Sequence, residues 1–325
     1  MSLFGFVEIL KALAAILITN SHLGGFWPTS SFAVGGMLGD VLFFSVSGFC
    51  LYYIKLSFPL WYLKRIIRIY PMVWIATIIS LLIGYIRIYS FWDCIQLFIY
   101  PTYYHFVGSI MMLYIVYYFL MVLHHKLHVK LEWMIIVTFT IQLIIYFCFF
   151  DRSTYHIDVV EDYMAKFIFL QSMLLGACFR KKYDNNKIQS FCKLKWLILS
   201  LVLGTSLYII SSMAFRKINV LTQLQILSPV ILFFLIALIF YFFCIMERQK
   251  KINLNNPFGK IVKHLSKITL EIYVTQYLVY YIIPHMVFPL NIIVVICVIV
   301  LSATVMNFIG NFLTKNLDKL LGANK

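Results

Sequence analysis

The sequence predicts an all-α protein: a polytopic membrane helix bundle of about ten transmembrane helices, with both termini on the cytoplasmic side (N-in/C-in). Three observations predict it. The 325 residues are 62% hydrophobic and 12% charged, with a mean hydropathy of +0.91, more apolar surface than a soluble domain can hide. The apolar residues fall in long runs, roughly at 4–23, 36–56, 70–86, 106–123, 133–150, 164–179, 196–213, 224–246, 268–285 and 290–313, most of them near the length a helix needs to cross hydrocarbon. Finally, the 27 basic residues are segregated. With the N-terminus inside, most of them, from Lys55 to Lys325, fall in the inner loops and tail. Only Arg87, Arg152, Lys166, Arg216 and Lys217 fall outside, and Lys11 lies within the first run. Cytoplasmic loops retain Lys and Arg, so the net charge of +15 reports topology and calls for no nucleic acid.

The first run is long, carries Glu8 and Lys11 inside it, and ends without a small-residue cleavage pattern, so it reads as a retained helix. Ionisable residues in a span cost a few kcal/mol each and usually line a cavity rather than face lipid. Lys11 and His22 are eleven positions apart, just over three turns at about 100° per residue, and so share a face. Glu8 sits roughly 60° from Lys11. One face thus carries a cation near the inner surface and an imidazole near the outer one. Neutral imidazole can take a proton from a hydroxyl nucleophile; the plainer reading is an interfacial histidine.

The second run begins with Asp40 on the outer side, close enough in topology to orient or charge-stabilise His22. Its small residues Gly39, Ser45, Ser47 and Gly48 permit either close helix approach or a narrow channel. Between the second and third runs, Lys64, Arg65 and Arg68 share a face of a predicted short helix in the inner interface. Pro71 suits the first turn of the span that follows. The arginine pair fits bidentate phosphate recognition, while charge alone favours the plainer reading, anchoring to lipid headgroups.

The fourth run ends at His124, His125 and His128. His124 and His128 have a zinc-compatible spacing, but no acid or cysteine completes a site, and no metal is expected. Asp151, Asp158, Glu161 and Asp162 fall in one outer loop, read as solvated because their spacing matches no calcium loop. The longest inner connection, about 247–267, contains the turn signal Asn255-Asn256-Pro257. Glu271 lies one turn inside the ninth run, with Lys11 or Lys267 as a possible partner; a functional carboxylate and a structural ion pair are both open. Cys50, Cys94, Cys148, Cys178, Cys192, Cys244 and Cys297 lack C-x-x-C spacing and read as small hydrophobes. No linker, repeat or low-complexity tract divides the chain, so residues 1–325 are expected to form one integral domain. Walker, G-x-S-x-G and H-E-x-x-H motifs are absent from the sequence.

Taken together, these residues resemble the acyltransferase family 3 of integral membrane O-acyltransferases. Lys11 to His22 keeps the spacing of that family's R-x10-H pattern, with Lys for Arg. Gly39-Asp40-Val41-Leu42-Phe43-Phe44-Ser45-Val46-Ser47-Gly48-Phe49 is close to G-x-D-x-F-F-x-x-S-G-F, lacking the residue between Gly and Asp. Arg65, Arg68 and Pro71 match R-x-x-R before a Pro-led helix. Thr269 to Gln276 looks like S-L-E-I-Y-L-x-H, with Gln276 for the late His, and the stretch at Gly108–Tyr114 lacks the usual Trp. The resemblance implies a ten-helix bundle that takes an acyl group, acetyl or succinyl, from cytoplasmic acyl-CoA as donor substrate, with no permanently bound cofactor. The group passes to a hydroxyl of a cell-surface polysaccharide or lipid-linked sugar, in a bacterial plasma membrane and alongside polysaccharide biosynthesis proteins and membrane lipids.

By the same resemblance His22 is the catalytic residue, and Arg65 and Arg68 engage the coenzyme; the residue pattern adds Asp40 as support for His22, and Lys64 and Lys11 as further contacts to the coenzyme. Glu8, Ser47, Glu271 and Gln276 are the expected polar residues of the cavity. The rival from another class is an exporter or flippase for a glycan or lipid-linked sugar, because buried charges on one helical face suit a translocation path equally well. A degenerate member with a scaffolding role is the third reading.

Overall fold

The computed structural model describes residues 4–188, 193–283 and 287–320; Cys192, Lys325 and the end of the 268–285 run lie outside the described residues. The described residues are 77% helix and contain no strand. The helices are α1 (Gly5–His22), α2 (Gly36–Cys50), α3 (Phe58–Leu82), α4 (Phe91–Cys94), α5 (His105–Lys126), α6 (Leu131–Cys148), α7 (Tyr163–Asp184), α8 (Leu194–Lys217), α9 (Asn219–Thr222), α10 (Leu227–Arg248), α11 (Pro257–Lys267), α12 (Thr269–Ile282) and α13 (Leu290–Leu320). Helices dominate because hydrocarbon offers no partner to a free backbone N–H or C=O.

Each of the ten expected runs contains a helix. Among the described residues, seven helices are long and apolar enough to cross a membrane: α2 with the turn before it, α3, α5, α6, α8, α10 and α13. The others that fill expected runs are α1, α7 and α12. α1 carries Glu8 and Lys11 among its apolar residues, and the last turns of α7 carry Arg180, Lys181 and Lys182. α12 has 14 residues, about 21 Å of helix against a hydrocarbon core of about 30 Å.

The chain forms two compact units. The first comprises Met1–Leu10, Asp40–Ile54 and Val116–Asn256. Within it α2 and α7 approach at two glycines. A Cβ on Gly48 would strike the Met173 backbone, and one on Gly176 would strike the Ser45 carbonyl. At Gly48, then, the small-residue stripe serves close packing. Phe44 and Phe169 stack beside this crossing at 4.4 Å. Glu247 caps the start of α1, accepting from Gly5 N–H at 3.1 Å and Phe6 N–H at 2.9 Å, where a carboxylate also suits the positive helix end.

The acidic outer loop is committed to local structure. Asp158 accepts from Arg216 at 2.7 Å and from Tyr155 Oη at 3.0 Å. Asp162 caps α7 through Met164 N–H at 2.8 Å. Ser153 N–H donates to Asp151 and holds its carboxyl below the usual carboxylate range. Gln225 ties the loop down, accepting from His156 and Ile157 N–H and donating to the Thr154 carbonyl.

The second unit comprises Lys11–Gly39, Lys55–Ile115 and Pro257–Lys325. Its core joins Ala15, Leu23 and Phe26 to Ile272 and Val279 of α12 and to Val295, Ile299 and Ala303 of α13. Gly39 lets α2 meet α1: a Cβ there would lie 2.9 Å from the Ala14 carbonyl. The expected break between an interfacial helix and a Pro-led span does not occur. α3 runs unbroken for 25 residues, with Pro71 inside it.

An internal proline removes one donor and leaves the carbonyl four residues back without its helical partner. That carbonyl belongs to Ile67, and Thr314 Oγ1 on α13 donates to it at 3.3 Å. One turn earlier on α13, Gly310 makes room for the Met72 side chain. α3 is held from another side by Tyr70 Oη, which donates to the Ile99 carbonyl at 2.7 Å, and by Trp74 Nε1, which donates to Phe98 at 2.8 Å. Thr314→Val should therefore lower stability by about 1 kcal/mol while Thr314→Ser leaves it unchanged. Thermal unfolding in detergent reads the difference, and equal melting of the Val variant and the parent would refute the role given to Thr314.

Candidate active site

His22 is the last residue of α1, and its ring is accessible. Nε2 lies 3.1 Å from Tyr277 Oη, with the two rings edge to face at 4.9 Å between centroids. With the imidazole proton on Nδ1, the phenol donates to Nε2; with the proton on Nε2, it accepts. Tyr273, Tyr277 and Tyr280 recur at i, i+4 and i+7 and so share a face of α12.

Each of these phenols ties down a neighbour. Tyr280 Oη donates to the Thr19 carbonyl at 3.2 Å, one turn before His22. Tyr273 Oη accepts from Phe106 N–H at 3.3 Å, at the start of α5. Asn20 holds the chain beyond α1, donating to the carbonyls of Phe32 and Val34 at 2.8 and 2.9 Å and accepting from Trp27 Nε1 at 3.0 Å. The imidazole is bonded by Tyr277 of α12, and the end of α1 that carries it is tied to α12 and to the following loop.

In the same unit, Lys64, Arg65 and Arg68 project from one stretch of α3. Arg65 lies over the Trp61 ring at 5.2 Å, one turn away, which stiffens a half-buried guanidinium. Arg68 is exposed. Lys11 is half-buried on α1, and α1 is continuous from Lys11 to His22, a span of about 16 Å along its axis.

Glu271 is buried at 4% exposure. The partners expected for it, Lys11 or Lys267, give way to a neutral one: Asn307 Nδ2 of α13 donates to Oε1 at 2.7 Å. Asn311 in turn donates to Asn307 at 2.9 Å. An amide reaches across a tight helix pair without bringing a second charge into the core, which is why it can serve where a lysine was expected.

Gln276 is wholly buried, at 0% exposure, and among the described residues neither atom of its amide has a hydrogen-bond partner.

Three expected site residues belong to the first unit. Glu8 and Asp40 are buried there, at 8% and 4% exposure, and Ser47 is half-buried. His124, also in the first unit, uses both ring nitrogens, with Nε2 3.2 Å from Tyr52 Oη and Nδ1 2.7 Å from the Val129 carbonyl. Burial pushes the Tyr52 hydroxyl up to about 12. His125 Nε2 lies 2.8 Å from the Tyr52 carbonyl. Among the described residues, no cluster of three or more His, Cys, Asp or Glu could hold a metal.

Reading the sequence did not single out Tyr277, Tyr280 and Asn307, and met Tyr273 only as part of the motif at residues 269–276. The tyrosines carry a usable signal in their helical spacing, whereas nothing near Asn307 in the sequence announces a carboxylate partner.

These features define an integral membrane protein with a histidine held at the end of its first helix and a basic stretch on its third. Residues 4–309 match the family model described as an acyltransferase domain, and the chain belongs to this family, acyltransferase family 3, a family of membrane acyltransferases. No curated protein and no solved structure matches the chain.

A buried amide without partners costs about 1–3 kcal/mol relative to an apolar side chain of similar size. Gln276→Leu should therefore melt at a higher temperature than the parent. A lower melting temperature would mean that the amide is satisfied in the folded protein.

Proposed function

We propose that the protein is an O-acyltransferase that moves an acyl group, acetyl or succinyl, from cytoplasmic acyl-CoA to a hydroxyl of a cell-surface polysaccharide or lipid-linked sugar. The single observation that carries this reading is the hydrogen-bonded, accessible His22 at the C-terminal end of α1, in a chain of an acyltransferase family and in one unit with Lys11, Lys64, Arg65 and Arg68.

In the proposed reaction His22 removes the proton of the acceptor hydroxyl. The oxygen attacks the thioester carbonyl, the carbon–sulfur bond breaks, and the departing thiolate takes a proton, so the histidine returns to its neutral form. Tyr277 holds the imidazole in a fixed plane. Lys64, Arg65 and Arg68 bind the phosphates of the coenzyme at the inner side, and Lys11 meets the donor along α1. The host membrane in this reading is a bacterial plasma membrane, and polysaccharide biosynthesis proteins supply the acceptor.

Incubation of membranes with labelled acyl-CoA, followed by analysis of surface glycan, tests the assignment. His22→Ala at equal protein level should lower transfer by about 10²–10⁴-fold; transfer at the parental rate removes His22 from catalysis. Arg65→Ala/Arg68→Ala should raise the KM for acyl-CoA about tenfold or more with a smaller change in kcat, and an unchanged donor KM excludes the phosphate role. Loss of the whole surface polymer from a deletion strain, instead of loss of its acyl groups, would make the protein an exporter.

A further inference from the structure

α11, with sequence PFGKIVKHLSK, is separated from α12 by Ile268 alone. At about 100° per residue its side chains divide into three sectors. Gly259, Val262 and Ser266 are buried and form the sector against the protein. Phe258 and Ile261 form an apolar sector that stays 72% and 57% exposed, with Leu265 beside them packed partly on the core of the second unit. Lys260, Lys263 and Lys267 recur at i, i+3 and i+7 and form a basic sector with His264 at its edge, and the helix contains no Asp or Glu. His264 Nε2 lies 2.9 Å from Thr304 Oγ1 and fixes the helix against α13.

We propose that α11 is a docking helix for anionic lipid headgroups at the inner membrane surface, its apolar sector set among the acyl chains and its basic sector against the phosphates. A helix bathed in water gains nothing from leaving Phe258 and Ile261 bare. A helix immersed in hydrocarbon would not carry three lysines on one side. Lying in the interfacial plane satisfies both sectors at once. Charge complementarity selects the lipid: a basic stripe without acidic residues gains from an anionic leaflet and little from a zwitterionic one. A soluble phosphate would engage the lysines but leave the apolar sector uncovered.

The test uses the purified full chain, delipidated in detergent and titrated with phosphatidylglycerol or phosphatidylcholine, with bound lipid counted by native mass spectrometry. The parent should prefer phosphatidylglycerol. Lys260→Gln/Lys263→Gln/Lys267→Gln should weaken that binding about tenfold or more and leave phosphatidylcholine binding unchanged. Lys193→Gln/Lys195→Gln, a charge loss in the other unit, should leave both unchanged. If the triple variant fails to fold, Lys260→Gln/Lys267→Gln, at two exposed positions, is read in its place. Equal phosphatidylglycerol affinity in parent and variant overturns the proposal. Displacement of the lipid by millimolar pyrophosphate also overturns it, because the basic sector would then be a site for soluble phosphate.

Discussion

Hydrocarbon supplies no hydrogen bonds, so every polar group carried into this bundle needs a partner from the chain itself. Pro71 strips a donor from α3, and Thr314 on α13 replaces it at the Ile67 carbonyl. Glu271 is met by Asn307, and Gln171 of α7 donates to Gln142 of α6 at 2.9 Å. Each of these bonds joins two helices, so satisfying the backbone or a buried side chain also fixes how helices of one unit pack. Gln276 departs from this pattern, with both amide atoms buried and unbonded among the described residues. Exceptions of this kind are retained where selection acts on something other than stability, and this one stands beside Tyr277 in the helix that holds His22.

The phenol face of α12 turns that constraint into positioning. Tyr277 bonds the imidazole, while Tyr280 and Tyr273 bond the backbones of α1 and α5. A tyrosine places an apolar ring in the packed interior and a polar tip at its edge, which suits a site at the end of a span. The histidine is therefore oriented by helices as well as by a loop, the arrangement a proton-transfer residue needs if its geometry is to survive thermal motion.

Much of this was legible in the residues. Hydropathy alone marks ten runs that each hold a helix, though not α4, α9, α11 or the first turns of α3, because length and apolarity are what the membrane selects. Spacing alone puts Lys11 and His22 on one face of a helix that proves continuous. Two features were not legible. Pro71 reads as a helix start because proline is favoured there, and only a hydroxyl more than 200 residues later in the chain lets it sit inside α3. Glu271 suggests a cation because charge seeks charge, yet an asparagine on a packed neighbour serves at lower desolvation cost. In both cases the deciding partner is distant in sequence, and local pattern carries no trace of it.

The central claim is that donor and acceptor are used from opposite faces of the membrane. Sealed proteoliposomes of uniform orientation test it directly, with labelled acyl-CoA confined to the face that carries Lys64, Arg65 and Arg68 and the glycan acceptor confined to the other. The account predicts labelled glycan in this arrangement and none when acyl-CoA is supplied only on the acceptor's side. Equal labelling from either side would contradict it.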